Sequence, residues 1–239
     1  MYKGIYIAMT GAVLRSQELD NVANNLANAA TVGYKKTSFS SELYPLLEGV
    51  PLNDNSLYND ARAMSYTGKY SIDAAEGDMK TTGNPLDLAI KGEGFFAVDG
   101  GGKTFYTRNG EFSRSKDGFL VTGSGMKVLD TAGKPIKING EKVTFSPAGD
   151  VFVDGNAAGK LKLAKISGIR HVENSLFSGK EDAAAGGELV QGSYEMSNVN
   201  PVRELVGIIQ AMREFEAAQK VIQNFDALAQ RTVSEVAKV

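Results

Sequence analysis

Proline and glycine are confined almost wholly to the middle of this chain. All six prolines fall between Pro45 and Pro201, and 21 of the 27 glycines fall between Gly77 and Gly192. Proline breaks the helical hydrogen-bond ladder, and glycine loses the most backbone entropy on entering a helix. Both ends of the 239-residue chain are therefore free to be helical, and the middle is not.

Apolar periodicity fills in the ends. Ile5, Met9, Ala12, Ser16, Leu19, Ala23, Leu26 and Ala30 alternate in steps of four and three, a heptad seam broken in character only by Ser16. The spacing predicts a helix from about Tyr2 to Ala30, stopped by Thr31, Val32 and Gly33, with Gly33 in the left-handed conformation. At the other end Ser197, Asn198 and Asn200 offer capping side chains. Pro201 suits the first helical position, and Glu204 sits near the positive helix end. The seam there runs through Ile208, Met212, Phe215, Gln219, Ile222, Asp226, Ala229, Val233 and Val236, beside a second stripe of Ala211, Ala218, Val221, Phe225 and Leu228. So wide an apolar face needs more than one neighbour, which fits a multi-chain bundle; an intramolecular helical hairpin satisfies the same pattern.

From Gly77 to Gly192 short β-prone runs alternate with turn dipeptides. The runs are Leu86–Ile90, Phe95–Val98, Phe105–Arg108, Phe119–Val121, Lys127–Leu129, Ile136–Ile138, Val143–Phe145, Val151–Val153 and Leu161–Ile166. Asn109-Gly110, Asp117-Gly118, Asn139-Gly140 and Asp154-Gly155 accept the positive φ of tight hairpins. The stretch 35–76, with Pro45, Pro51, Asn53, Asn55 and Asn59, reads as an extended connector whose apolar residues need not join the chain's own core. The fold class is α+β. Long N- and C-terminal helices pack as a coiled-coil or helical-bundle layer around residues 1–34 and 196–239, and a central, mostly antiparallel β domain spans 77–195.

Charge and composition narrow the chemistry. The 26 basic residues against 28 acidic ones make no field that would draw the whole chain to nucleic acid or anionic lipid. Cysteine is absent, which removes disulfides, thiolate metal sites and cysteine nucleophiles. No run approaches the roughly 20 apolar residues of a membrane helix, and no basic-then-apolar leader with a small-residue cleavage site opens the chain. The single histidine, His171, has no nucleophile motif beside it and reads as a surface or loop residue. Gly92-Glu93-Gly94 lacks the helix and the Lys-Thr pair of a phosphate loop, since Phe95 and Phe96 follow it; a strand-to-strand turn explains it. The Asp-Gly turns lack the spaced acids of a calcium loop. No catalytic, cofactor-binding or metal residue is assigned, and no cofactor is expected.

One run is odd for a helix. Asn24, Asn25 and Asn28 fall within five residues, although asparagine is a mediocre helix former. Either they are solvated at a fraying helix end, or they hydrogen-bond to neighbouring chains and fix register.

The run Gln17–Lys35 containing those asparagines resembles the amino-terminal signature of the flagellar rod and hook family. Three further blocks follow in the family's order: Thr82–Phe96, Tyr106-Thr107-Arg108-Asn109-Gly110, and Glu195–Asn200 leading into Arg213-Glu214-Phe215-Glu216. The resemblance implies that the terminal helices associate into an inner tubular layer and that the β domain decorates its outside. It implies further that the subunit passes unfolded through the flagellar type III export apparatus into a rod crossing the periplasm. Partners would be copies of itself, other rod proteins and the surrounding basal-body rings, with no nucleic acid and no membrane insertion. Ala8–Ala12, the modest length and Lys160–Leu163 resemble the proximal, FlgF-type branch more than the distal, FlgG-type branch, whereas Leu205–Ile209 departs from the methionines common in the family. The packing residues of the assembly interface are expected to be Leu19, Ala23, Leu26, Leu205, Ile209, Met212, Phe215, Ile222 and Phe225, with Asn24, Asn25, Asn28 and Asn198 as polar register contacts. Both ends, 1 to about 30 and about 201 to 239, are expected to be disordered in the free monomer. A surface-attached binding module with a coiled-coil stalk, or an enzyme whose site leaves no linear motif, are the rival classes.

Overall fold

The computed structural model describes residues 2–44, 64–173 and 175–236. Pro45, Pro51, Asn53, Asn55 and Asn59 lie outside the described residues, as do 237–239. The chain divides into two compact units. One holds Met1–Leu26, Thr37–Tyr70 and Asn200–Val239; the other holds Ala27–Lys36 and Ser71–Val199.

The helical unit is built on α1 (Tyr2–Ala27) and α2 (Pro201–Val236). Helix α1 stops three residues earlier than its apolar period predicts. A turn replaces the last expected step, with the Thr31 N–H donating to the Asn28 carbonyl at 3.1 Å, and Gly33 takes φ +68° as anticipated. Helix α2 starts where the capping residues place it: Asn200 Oδ1 accepts the Arg203 N–H at 3.1 Å, and the Asn200 carbonyl accepts the Glu204 N–H. The two helices run antiparallel. Gly4 lies against Phe225, Arg15 Nε reaches Glu214 at 2.6 Å, and Val22 lies against Gly207, so positions rising along one helix fall along the other.

This intrachain pairing uses a different stripe from the predicted seam. Met9, Ser16 and Ala23 are exposed, while Ala12, Leu14 and Asn25 are buried. On α2 the covered line passes through Glu204, Ile208, Ala211, Phe215, Ala218, Ile222, Phe225 and Ala229, combining members of both predicted stripes, and Met212 is left outside. Small residues decide this. A Cβ on Gly4 would sit 2.6 Å from Phe225 Cζ, so the ring packs there only because position 4 has no side chain.

The described parts of the predicted connector 35–76 include two strands. Strands β1 (Thr37–Tyr44) and β2 (Met64–Ile72) form a two-stranded sheet within it. The Phe39 ring lies tilted against Tyr70 at 5.2 Å and the Ser40 hydroxyl donates to the Lys69 carbonyl at 3.3 Å.

The β unit carries the remaining strands: β3 (Met79–Thr81), β4 (Leu88–Lys91), β5 (Phe95–Asp99), β6 (Thr104–Thr107), β7 (Phe112–Arg114), β8 (Leu120–Thr122), β9 (Lys127–Val128), β10 (Val143–Phe145), β11 (Asp150–Val153), β12 (Asn156–Lys160), β13 (Leu163–Glu173), β14 (Leu176–Ala184), β15 (Glu188–Gln191) and β16 (Ser193–Glu195). Seven form one antiparallel sheet in the order β13-β14-β6-β5-β9-β8-β7. An extra pairing of β13 with β5, Leu163 opposite Phe96, closes β5, β6, β14 and β13 into a ring. Strands β10, β11 and β12 make a second sheet, and β15 pairs β4 while β16 pairs β3. Strand β5 is buried on both faces. Phe96 and Val98 enter the larger core with Leu88, Ile90, Leu120 and Val151, while Phe95 and Ala97 enter a smaller one with Tyr106, Ile166 and Phe177. The expected strand at Ile136–Ile138 forms only through isolated bridges, Phe119 to Lys137 and Leu129 to Pro135, because Pro135 has no N–H to give a ladder.

Candidate functional site

Two arrangements stand out, one in each unit. In the helical unit it is the apolar surface that the antiparallel pair does not use. On α1, Tyr6, Met9 and Val13 are 48–53% exposed. On α2, Val202, Leu205, Val206, Ile209 and Met212 are 49–69% exposed and fall along one stretch at steps of three and four. A groove of about 380 Å³ runs between the helices, lined by Arg15, Ser16, Leu19, Met212, Phe215, Glu216 and Gln219. Burial of a Leu, Ile, Met or Val side chain contributes about 1.5–3 kcal/mol, so this row is a strong drive to associate.

The candidate interface residues divide accordingly. Leu205, Ile209 and Met212 lie outward and Ala23 is exposed; Leu19, Leu26, Phe215, Ile222 and Phe225 are half-buried against the chain's own helices. Asn25 is fully buried and engaged within the unit: its Nδ2 donates to the Thr37 carbonyl at 2.8 Å and its Oδ1 accepts the Thr37 N–H at 2.9 Å. Asn24 is exposed, and Asn28 Oδ1 accepts the Thr31 hydroxyl at 3.2 Å. Asn198 holds the β unit instead, accepting the Lys36 N–H at 2.7 Å and donating to the Asp73 and Ala75 carbonyls.

In the β unit the arrangement is a buried charge cluster that the sequence reading did not single out. Glu195, at the end of β16, is fully buried; its Oε1 accepts Lys35 Nζ at 2.6 Å and the Gly77 N–H at 2.8 Å. Its Oε2 accepts Arg108 Nη1 at 2.9 Å. Arg108, just after β6, also donates to the Ile90 and Gly92 carbonyls, and its guanidinium lies 5.2 Å from the Phe95 ring centroid. Lys35 donates in addition to the Ala75 carbonyl. Burial pushes the Lys35 amine below its usual value, against the opposing pull of Glu195. One carboxylate thus holds four segments together: 31–36, 73–77, the end of β6 and β16.

Gly33 and His171 complete this region. A Cβ at Gly33 would fall 2.2 Å from the Asn109 nitrogen, and the Gly33 N–H donates to the Glu195 carbonyl at 2.8 Å. His171 is not a loop residue. It lies within β13, half-buried, stacked on Tyr34 at 5.1 Å and tilted on Phe177 at 4.7 Å, with Nε2 3.1 Å from the Lys35 carbonyl. The sequence signal for the cluster was present: Lys35, Arg108 and Glu195 each lie in one of the blocks that carried the family resemblance, as opposite charges beside otherwise apolar or turn residues.

Among the described residues no three His, Asp or Glu side chains are grouped to hold a metal ion, and no helix is long and apolar enough to cross a membrane.

Comparison with known proteins gives one consistent result. Three family profiles match in order along the chain: a flagella basal body rod protein profile over residues 5–35, the D1 domain of flagellar hook protein FlgE/F/G over 89–153, and the C-terminal part of flagellar basal body rod FlgEFG proteins over 190–235. The chain is 30% identical to the flagellar basal-body rod protein FlgF of Caulobacter vibrioides, with 100% of both chains covered. It is 32% identical to FlgG of Bacillus subtilis, covering 98% of this chain and 99% of that one. It is also 32% identical to FlgG of Agrobacterium fabrum, covering 95% and 97%.

Proposed function

The chain belongs to the flagellar basal-body rod protein family, and from that premise we propose that it is a proximal, FlgF-type subunit that polymerises through its terminal helices and catalyses nothing. The observation that carries the reading is the outward apolar surface of the helical unit. Tyr6, Met9 and Val13 on one helix, and Leu205, Ile209 and Met212 on the other, are left unburied by a pairing that occupies the opposite stripes. A protein with two such surfaces joins two neighbours at once, and contacts of that kind extend into an array able to transmit torque. Leu19, Ala23, Leu26, Phe215, Ile222 and Phe225 serve as the packing residues between and beside the helices, and Asn24, Asn25, Asn28 and Asn198 set register.

The proximal assignment over a distal, FlgG-type one rests on Ala8–Ala12 and Lys160–Leu163. In this reading the subunit lies in the rod crossing the periplasm, reaches it through the flagellar type III export apparatus, and meets other rod proteins and the surrounding rings.

Complementation tests both levels. The chain should restore swimming to a strain lacking its FlgF-type subunit and fail in one lacking FlgG, and Ile209→Asp should abolish the rescue while the purified variant keeps its circular dichroism. Rescue of the FlgG-deficient strain overturns the subtype; rescue by Ile209→Asp at the parental level overturns the interface.

A further inference from the structure

The β unit carries a basic surface that neither its cores nor the helical interface explains. Phe119 sits just before β8, half-buried, and faces Lys137 across an isolated bridge; two residues on, Val121 pairs Lys127. Both lysines reach the same ring. Lys127 Nζ lies 4.6 Å from its centroid and Lys137 Nζ 5.5 Å, so the two ammonium groups can be no farther apart than the sum of those distances. Arg114 on β7, Lys116 in the turn before Phe119, and Lys134 in the turn before Pro135 are exposed on neighbouring segments.

Residues 114–142 hold six Lys or Arg against three Asp or Glu, a net +3, in a chain whose total is −2, so the remainder carries −5. Among the described residues the side-chain nitrogens of Arg114, Lys116, Lys127, Lys134 and Lys137 have no carboxylate oxygen within 4.0 Å; the Asp130 carboxylate accepts the Lys134 backbone N–H instead. A short way along the chain the pattern reverses: Lys160 pairs with Asp150, Lys162 with Glu181 and Lys165 with Glu93. Like charges held close without a counter-charge repel, and the ring's negative face offsets only part of that.

The local chemistry selects the counter-charge. Lysine ammonium groups occupy the Phe119 ring, so the ring offers no open platform for a sugar or a base. The cations nearest the ring are point charges on flexible stems, which pair with single anionic oxygens without a fork, so the spacing of the anions decides the occupant. Carboxylates along an extended chain recur on one side at about 7 Å, every second residue, a spacing that two ammonium groups around one ring can meet.

We propose that the surface around Phe119 is a docking site for an acidic protein segment, an extended stretch with Asp or Glu at alternate positions whose carboxylates pair with Lys127 and Lys137. It is independent of the helical interface and does not depend on the subtype.

The test measures binding of a fluorescent peptide of alternating Glu and Ser to the full-length chain by anisotropy at low salt. Lys127→Glu with Lys137→Glu should weaken binding by about tenfold or more, and rising salt should weaken the parental binding alone to a comparable degree. Reversal of the paired lysines, Lys160→Glu with Lys165→Glu, should leave it within about twofold. Lys127→Gln with Lys137→Gln keeps the apolar stems and guards against misfolding as the cause; it should fall between the two. Equal losses from both reversals overturn the proposal, because binding then follows net charge. So does absence of peptide binding to the parental chain. A loss confined to anionic phospholipid vesicles, or to self-association of the chain, overturns it in favour of those occupants.

Discussion

Glu195→Ala is the substitution that most directly tests how the β unit is held together. The Glu195 carboxylate receives Lys35 Nζ at 2.6 Å, the Gly77 N–H at 2.8 Å and Arg108 Nη1 at 2.9 Å, and all three side chains are at most 2% exposed. Its loss leaves two buried cations facing each other with no anion between them. Removing one partner of a buried ion pair costs about 3–5 kcal/mol, a large part of the roughly 5–15 kcal/mol that holds a domain folded. At about 2–4 °C per kcal/mol for a chain of this size, the melting temperature should fall by roughly 6–20 °C. Lys35→Met should cost less, since Arg108 and Glu195 remain as a neutral pair. In the Glu195→Ala background Lys35→Met should cost less still, because it then removes a cation without a partner, giving a coupling of about 1 kcal/mol or more. Urea unfolding followed by far-ultraviolet circular dichroism measures all four corners of the cycle; tryptophan fluorescence does not serve, the chain having none. A loss under about 1 kcal/mol for Glu195→Ala, or additive effects, would refute the argument.

Two further outcomes follow from single positions. Gly33→Ala combines a left-handed φ of +68° with a Cβ 2.2 Å from the Asn109 nitrogen, so it should destabilise by about 2–4 kcal/mol, read as a lower urea midpoint; a midpoint unchanged from the parent contradicts it. Tyr106 is pushed above the usual tyrosine value by burial first, and then by the Glu181 carboxylate to which its hydroxyl donates at 3.3 Å. The folded chain therefore holds that proton more tightly than the unfolded one, and its contribution is complete below about pH 10 and lost as pH rises through the folded value. Tyr106→Phe should flatten the alkaline decline in stability, and a wild-type slope retained in the variant argues against this assignment.

The sequence made the architecture legible because its signals are local. Proline and glycine placement bounded the helices, and Asn200-Pro201 fixed the start of α2 to the residue. Asp117-Gly118 and Asp154-Gly155 marked two hairpins, whereas Asn109-Gly110 and Asn139-Gly140 do not take the positive φ expected of them, and β6 and β7, which Asn109-Gly110 joins, do not pair. What escaped was either compositionally weak or non-local. Strands Asn156–Lys160 and Leu176–Ala184 are rich in Gly, Ala and charge and poor in β-branched residues, and they exist because neighbours supply their ladders. The Glu195 cluster joins positions 160 and 87 residues apart, a separation that no periodicity reports. The helix faces were misplaced by about one residue because heptad spacing alone was read. Close approach at Gly4 and Gly207 turns the faces, so Phe215, Ile222 and Phe225 stay partly covered while Met9 and Met212 go outward.

That displacement explains why one chain can be stable and still ready to associate. Had every large side chain joined the intrachain seam, the pair would have been self-sufficient and its outer faces polar. Instead Gly4, Ala12, Gly207, Ala211 and Ala218 let the helices approach and half-cover Ile208, Phe215, Ile222 and Phe225, supported by the Arg15–Glu214 ion pair at 2.6 Å. At 43% and 37% side-chain exposure such a pair adds at most about 1 kcal/mol. The intrachain contact thus uses only part of the apolar surface, while Tyr6, Met9, Val13, Leu205, Ile209 and Met212 keep their burial free energy for a contact not yet made. Contact of the α1 row of one copy with the α2 row of the next would join unlike surfaces and so repeat from copy to copy, where contact between like surfaces ends at a dimer. A subunit of an extended rod requires the first kind of contact.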